Sequence, residues 1–442
     1  MPPPCFLCYN NLIIIIYLVK GMEKSMCAKP LELLSPAGEM ESLEACLTFG
    51  ADAVYIGGKQ FGMRASPKNF TAEQIRQAAE LCHSSGAAVY LTCNTLPTNE
   101  QADQLPEFLY SARDAGVDGL IVSDIGILML AKRLLPDMDI HISTQCGIVN
   151  HLTATELYNL GASRVVLARE LSIEDIAVIR AKTPAALQLE AFVHGAMCMA
   201  FSGRCLISQY MIGRDANKGQ CAQPCRWGYH LVEEKRPGEY FPVFEDKDGS
   251  YIMNAKDLSM LAHIDKLAEA GVYSFKIEGR GKSAYYAAAI TYAYRQAMDI
   301  YLKDPQNFHV PSWLMGETEK VSHRRYSTGF YLKDNPPTQY YDTSGYIRNW
   351  DLVASVLDWQ EGYISCLVRN KFSKGEILEV LRPDGPPMEL KVTEIIDSSG
   401  SITDVACHPM EQLRLFCPMP IPSGSMLRRQ ENSPPALGNQ VC

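Results

Sequence analysis

The sequence has no surplus of positive charge and no apolar segment long enough to span a membrane. Its formal net charge is −9 at pH 7, which weakens nucleic-acid binding as a function, although a local basic patch would still permit it. The apolar run at 12–19 is far short of the roughly 20 residues of a spanning helix. It also lacks the flanks of a signal peptide. We therefore expect a cytoplasmic protein whose chain starts near Met22 or Met26, with a weak membrane anchor as the alternative.

Several common catalytic signatures are also missing. No H-E-x-x-H or G-x-S-x-G occurs, so neither a zinc protease helix nor a serine nucleophile elbow is indicated. No G-x-G-x-x-G follows the first predicted strand, which counts against a dinucleotide site. Hydrophobic residues make up 47% and charged residues 21%, which indicates a globular protein with a substantial core.

Eight short apolar runs alternate with helix-period segments from residue 31 onward. Such alternation predicts a parallel (β/α)₈ barrel, with an open doubly wound sheet as the alternative. A glycine after three of the helices, at Gly50, Gly116 and Gly161, is typical of a left-handed helix cap. The predicted strands are 31–36, 53–58, 88–94, 119–124, 139–145, 164–170, 187–193 and 274–280.

The domain organisation follows from changes in this pattern. We predict an N-terminal extension at 1–29, a barrel at 30–304, a linker at 305–343, a C-terminal domain at 344–430 and a disordered tail at 431–442. Alternating apolar residues and turn clusters after 344 predict a small antiparallel β-barrel domain. Inside the barrel, the connection at 194–258 greatly exceeds the ~2–6 residues of an ordinary βα loop. It therefore indicates a functional insertion over the barrel mouth.

Fifteen cysteines are many for an intracellular enzyme, and four of them lie in this insertion. Their spacing is C-x6-C-x15-C-x3-C, and four thiolates gathered around one point suit zinc or an iron–sulfur cluster. None of the four sits in the C-x2-C knuckle that structural zinc sites favour. Spacing alone favours iron–sulfur and leaves zinc and unliganded thiols open. The four are Cys198, Cys205, Cys221 and Cys225.

The segments 190–198 (EAFVHGAMC) and 201–208 (FSGRCLIS) resemble the signature of the peptidase U32 family. Three further blocks, 35–43 (SPAGEMESL), 50–58 (GADAVYIGG) and 275–280 (FKIEGR), are similar to other blocks of that family. The resemblance implies a barrel and a [4Fe–4S] cluster held by the four cysteines of the insertion. The family carries an older label of collagenase-like peptidase, and the resemblance leaves that activity as the alternative, with a peptide as substrate.

Other members of the family resemble oxygen-independent hydroxylation systems. Their substrates are tRNA uridine, ribosomal RNA cytidine or quinone precursors, and the tRNA branch is implied to use prephenate-linked chemistry. One barrel followed by a small β domain looks most like the tRNA branch. The resemblance therefore implies hydroxylation of tRNA uridine to 5-hydroxyuridine, with tRNA or another structured RNA and a prephenate-derived small molecule as partners, and with neither DNA nor a membrane.

Polar residues near the predicted ends of the last two barrel strands are the candidate catalytic groups. Glu190 and His194 precede Cys198, and Glu278 and Arg280 close the eighth strand. They could orient a substrate or move a proton. The structural alternative is a buried ion pair, for example between Glu190 and Arg280.

Basic residues beside aromatic ones are the candidate RNA contacts. Arg226 and Trp227 follow the last cysteine and could stack on a base. Arg324, Arg325 and Lys371 lie in two further basic and aromatic clusters that could meet the RNA backbone. Short clusters of this kind are more often ordinary solvated faces.

Overall fold

The structure is a computed structural model. It describes residues 31–62, 69–198, 207–216, 220–224, 231–232, 240–241, 245–246, 249–250, 256–333 and 346–431. The side chains of 209–210 and of the short strands between 231 and 250 are not among the described atoms. The predicted extension at 1–29 and nearly all of the predicted tail lie outside the described residues. No helix in the described part of the chain is long and apolar enough to cross a membrane.

Eight parallel strands close into a barrel, as the sequence predicts. Consecutive strands pair in parallel register, and the eighth strand pairs with both the first and the seventh, which closes the ring. Its interior includes a cluster of buried side chains around Leu34, Tyr55 and Ile121. The strands are β1 Glu32–Pro36, β2 Ala53–Gly57, β3 Ala88–Cys93, β4 Gly119–Val122, β5 Asp139–Ile142, β6 Arg164–Val166, β7 Gln188–Ala196 and, after the insertion, β13 Ser274–Ile277.

Helices cover the outside of this barrel. Good caps define their starts: Thr71 and Gln74 form a capping box, and so do Ser172 and Asp175. The three cap glycines have the predicted positive φ, at 92°, 79° and 105°. The helices are α1 Met40–Thr48, α2 Ala72–Ser84, α3 Asn99–Ala102, α4 Leu105–Asp114, α5 Ile125–Leu134, α6 His151–Asn159, α7 Ile173–Lys182, α8 Ile207–Ile212, α9 Ile264–Glu269, α10 Ala284–Lys303 and α11 Ser312–Glu317.

The insertion is closed at its base by a pair of strands. β7 continues beyond the other barrel strands, and its last residues pair antiparallel with β12 (Asp257–Ser259), so that Ala196 lies opposite Asp257. β14 (Tyr326–Ser327), within the predicted linker, pairs with β12 on its other side. Between these ends lie α8 and four two-residue strands, β8 Leu231–Val232, β9 Tyr240–Phe241, β10 Glu245–Asp246 and β11 Gly249–Ser250.

The C-terminal domain is antiparallel, as predicted, and its main sheet curls around a core that includes Val353, Cys366 and Leu415. The strand order is β19-β18-β24-β15-β16-β23-β20-β21, and β17 pairs separately with β22. Its edge strands β19 and β21 do not pair with each other within the described residues. The strands are β15 Trp350–Gln360, β16 Tyr363–Val368, β17 Phe372–Ser373, β18 Ile377–Leu381, β19 Met388–Lys391, β20 Ile395–Ile396, β21 Ile402–Thr403, β22 Val405–Ala406, β23 Gln412–Phe416 and β24 Met426–Gln430.

A buried ion network joins this domain to the segment that follows α10. The guanidinium of Arg428, fully buried in β24, lies 2.6 Å from the carboxylate of Glu317 at the end of α11. It also pairs with Glu379 of β18, and Lys320 bonds to both carboxylates at 2.8 Å. Such a network fixes the position of the domain, because separating the partners would leave buried charges uncompensated.

Candidate functional site

The carboxyl ends of the barrel strands bring Arg280 over the ends of β2 and β3. Its guanidinium donates to the hydroxyl of Thr92 at 3.1 Å and to the amide oxygen of Asn69 at 3.4 Å. Gly57, the last residue of β2, makes room for it, since a Cβ there would lie 1.9 Å from a guanidinium nitrogen. Arg280 therefore lies at the barrel mouth, where the enzymes of this fold place their active sites.

Arg169, just beyond β6, occupies the neighbouring part of the mouth. Its guanidinium carbon lies 3.8 Å from the ring centre of Phe192, and it donates to the carbonyl of Ala196 at 2.8 Å. The carboxylate of Glu278 is 3.9 Å away. Arg169 thus ties the end of β6 to the strand that leads into the insertion. Together with Arg280 it gives the mouth two cations and one carboxylate, an arrangement suited to an anionic or strongly polar ligand.

Glu190 does not close its strand: it is the third residue of β7, near the amino end of the barrel. Its carboxylate is fully buried, 2.6 Å from the ammonium of Lys276 and 3.0 Å from the guanidinium of Arg164. Arg164 also pairs with Glu32, the first residue of β1, at 2.6 Å. The expected position at the strand's end was wrong because β7 runs on to Ala196. These contacts favour the structural alternative, with Arg164 and Lys276 as partners in place of Arg280.

Charge balance explains how this buried network is tolerated. Burial alone would raise the pKa of Glu190, but Lys276 and Arg164 outweigh it and the pKa lies below its usual value. Two carboxylates and two cations therefore balance inside the barrel. The amino end of a barrel of this type commonly serves stability, whereas the carboxyl end carries the chemistry.

His194 lies outside the ring of barrel strands. The pairing of β7 with β13 skips one residue between Phe192 and His194, and such a bulge turns the following side chain to the other face of the sheet. The imidazole is buried against Tyr286 and Tyr294 of α10 and Tyr326 of β14. Burial, with smaller contributions from the neighbouring His323 and Lys282, lowers the pKa of His194 to about 3. The side chain is thus neutral at pH 7.

Two of the four cysteines of the insertion lie within the described residues, and both thiols are exposed. Cys198 follows the end of β7 by two residues, and Cys221 accepts from the backbone N–H of Gln223 at 3.4 Å. Cys205 and Cys225 lie outside the described residues. Among the described residues, no group of three or more His, Cys, Asp or Glu side chains is placed to hold a metal ion.

The core cysteines behave differently. Cys46, Cys82 and Cys93 are buried, and burial raises the pKa of each thiol to about 12. Exposed thiols beyond a barrel strand fit cluster ligands, whereas these buried ones are small apolar core residues.

The candidate RNA contacts divide into three groups. Arg226 and Trp227 lie outside the described residues. Arg324 is buried, with its guanidinium carbon 4.6 Å from the ring centre of Tyr346. Arg325 and Lys371 are exposed.

Sequence reasoning missed the partners that define both ends of the barrel. Arg164 and Lys276 both lie inside predicted strands, and a charged residue in an apolar strand is the signal that could have indicated a buried network. Gly57 carried a second signal, because a glycine at a strand's end often allows close approach of another group.

A closed parallel barrel with an insertion bearing exposed cysteines at its carboxyl end, followed by a curled antiparallel domain, defines the class of this protein. Residues 38–340 match the model for peptidase family U32, and residues 348–428 match the family's C-terminal domain. The chain therefore belongs to peptidase family U32.

Two tRNA hydroxylation proteins match this chain over most of its length, and a third relative matches about two thirds of it. The chain is 35% identical to "tRNA hydroxylation protein P1" of Bacillus subtilis, covering 92% of this chain and 96% of that protein. It is 34% identical to "tRNA hydroxylation protein P" of Escherichia coli, covering 88% and 94%. It is 37% identical to "23S rRNA 5-hydroxycytidine C2501 synthase" of Escherichia coli, covering 68% of this chain and 45% of that protein.

Proposed function

We propose that this chain is an iron–sulfur enzyme that hydroxylates RNA, converting tRNA uridine to 5-hydroxyuridine without molecular oxygen. The observation that carries the proposal is the similarity along both domains to proteins named for tRNA hydroxylation, which spans 96% of the Bacillus subtilis protein. A relative named for a ribosomal RNA hydroxycytidine belongs to the same reaction class. The enzyme would act in the cytoplasm.

The proposed cofactor is a [4Fe–4S] cluster held by Cys198, Cys205, Cys221 and Cys225, with zinc as the alternative. The exposure of both described thiols supports this assignment, since ligands must reach a common metal centre outside the core. When bound, such a cluster supplies a redox or Lewis-acid centre at the mouth of the barrel.

We assign the substrate contacts to the mouth residues. Arg280 and Arg169 bind and orient an anionic group, such as a carboxylate of a prephenate-derived hydroxyl donor, and Glu278 accepts a hydrogen bond or a proton there. Glu190 and His194 act indirectly, because both are buried away from the mouth. Glu190 maintains the barrel's charge balance, and His194 packs beneath the base of the insertion.

Contacts with RNA outside the mouth are assigned by exposure. Arg325 and Lys371 are exposed and suit phosphate contacts. Arg226 and Trp227 follow Cys225 directly in the sequence, and we propose that they meet the nucleotide that enters the mouth. The burial of Arg324 favours support of its neighbours over direct contact.

The peptidase alternative is supported by the family's name. A peptidase needs a free nucleophile or a metal-bound water, and thiolates bound to a cluster are not free nucleophiles. The two functions therefore make opposite demands on Cys198 and Cys205.

The test compares tRNA nucleosides from a strain that lacks this chain with those from its parent, by mass spectrometry. Loss of a nucleoside heavier than uridine by one oxygen atom, or of a derivative built on it, is the expected result. Restoration by the wild-type chain but not by Arg280→Lys would place the activity at the mouth. Unchanged RNA, together with peptide cleavage that survives removal of bound metal, would contradict the proposal and support the peptidase.

A further inference from the structure

The outer face of strands β16 and β23 carries an exposed group of aromatic and polar side chains. Tyr363 lies opposite Phe416, and Ser365 lies opposite Arg414 in the antiparallel register. The intervening residues, such as Ile364, are buried in the domain core, so these four side chains point away from it. Phe416 is 41% exposed, which is high for a large apolar residue in a strand.

The geometry of this group leaves ring surface and positive charge available to a ligand. The rings of Tyr363 and Phe416 meet edge to face, with their centres 5.5 Å apart. The guanidinium carbon of Arg414 is 5.6 Å from the ring centre of Tyr363. Arg414 is exposed and makes no ion pair with any residue within the described ranges. The amide of Gln412 donates to the hydroxyl of Ser365 at 3.0 Å, which places a second hydrogen-bonding group on the same face.

The same face leads to the mouth of the barrel. Arg369 continues the outward-facing series of β16, and its guanidinium lies 2.5 Å from the carboxylate of Glu41 in the first turn of α1. That turn follows the carboxyl end of β1. Gly38, just before α1, touches Arg280, since a Cβ on it would lie 2.1 Å from the Arg280 carbonyl oxygen. Arg369 is six residue steps from Tyr363 along the extended chain, a distance of about 20 Å.

We propose that this face, formed by Tyr363, Ser365, Gln412, Arg414 and Phe416, binds unpaired nucleotides of an RNA. The inference rests on the proposed function and specifies how the substrate is held. Aromatic rings stack on bases regardless of sequence, the guanidinium meets a phosphate, and the amide can bond to a base edge. The rigid attachment of the domain through Arg428 and Glu317 would then hold the bound strand at a fixed distance from the mouth.

A purely structural role for the pair is the competing explanation. Cross-strand aromatic pairs stabilise a sheet by themselves. That role needs the rings of Tyr363 and Phe416 to contact each other, but it does not require the positive charge of Arg414 beside them. Binding and stability must therefore be measured on the same variants.

The experiment measures binding of full-length protein to a single-stranded oligouridylate and to whole tRNA. Tyr363→Ala and Phe416→Ala should each weaken binding by about fivefold to 150-fold, the range expected for one lost stacking contact. Arg414→Gln should weaken binding and make it less sensitive to salt. Tyr363→Phe keeps the ring but loses the hydrogen bond from the hydroxyl to the carboxylate of Glu394 at 2.8 Å, so it should bind RNA more tightly than Tyr363→Ala does. Ile402→Ala, at a position 67% exposed on β21, is the matched control and should have no effect.

The outcomes separate this inference from the proposed function. Weakened RNA binding with an unchanged melting temperature supports the RNA-binding role of this face. That holds even if deletion of the chain leaves the tRNA nucleosides unchanged, and in that case only the proposed reaction fails. Normal RNA binding by all three variants overturns it, even if the modification depends on the chain. A change of oligomeric state in the variants, with normal RNA binding, would also overturn it and assign the face to a second copy.

Discussion

The buried charge network of the barrel allows a sharp test of the role of Glu190. Its carboxylate bonds to Lys276 at 2.6 Å and to Arg164 at 3.0 Å, and none of the three side chains is more than 5% exposed. In Glu190→Ala, two buried cations would face the single remaining carboxylate of Glu32. Removing one partner of a buried ion pair typically costs about 3–5 kcal/mol. We expect that loss in the free energy of unfolding, which is a large share of the ~5–15 kcal/mol of an ordinary protein.

The assay is denaturant unfolding followed by circular dichroism, with RNA modification measured on the same samples. Glu73→Ala, which breaks an exposed pair with Arg76 on α2, is the matched control and should unfold like the wild type. The double variant Glu190→Leu/Lys276→Met removes both signs of charge, so it should be more stable than Glu190→Ala.

The pH dependence gives an independent check. Because the pKa of Glu190 is lowered in the folded state, its contribution is present at neutral pH and is lost as the pH falls through the folded-state pKa. In Glu190→Gln, the fall in the free energy of unfolding that comes from protonation of Glu190 at low pH should be absent. Unfolding of Glu190→Ala at the wild-type denaturant concentration, together with loss of activity, would refute this reasoning and make Glu190 a catalytic residue.

Three further predictions follow from particular contacts. In the wild type, the free energy of unfolding should fall by up to about 1.4 kcal/mol per pH unit between roughly pH 6.5 and 3, because the unfolded imidazole of His194 takes up a proton there and the buried one does not. His194→Gln should remove this fall. Denaturation measured as a function of pH checks the prediction, and an unaltered slope would contradict it. Gly57→Ala should displace the guanidinium of Arg280 and abolish RNA modification with the barrel still folded, as circular dichroism would show; full activity would place Arg280 outside the site. Arg428→Met should cost about 3 kcal/mol, since Glu317 stays buried with Lys320 as its remaining cation, and calorimetry showing no change would refute that role.

Most of the barrel could be predicted from its sequence because each strand is a short apolar run bounded by polar residues and helix caps. The start of β6 at Arg164 and that of β13 at Ser274 match the predicted ones. Capping glycines such as Gly116 act locally, so their conformation can be inferred without tertiary information.

The position of the candidate site was harder to predict because it depends on partners distant in sequence. β7 extends to Ala196 because β12 pairs with it, and nothing near Glu190 in the sequence indicates that pairing. The bulge that turns His194 outward arises from the mismatch with β13. Similarly, the placement of Arg280 over Gly57 depends on barrel closure, which brings the first and last strands together.

The proposed cluster at Cys198, Cys205, Cys221 and Cys225 is tested by the spectrum and metal content of anaerobically purified protein. We predict a brown protein with about four irons per chain and matching acid-labile sulfide. Cys198→Ala, Cys205→Ala, Cys221→Ala and Cys225→Ala should each bleach it, whereas Cys407→Ala, at an exposed thiol of the C-terminal domain, should not. A colourless protein that carries one zinc, or a brown protein whose iron is unaffected by these four substitutions, would contradict the account.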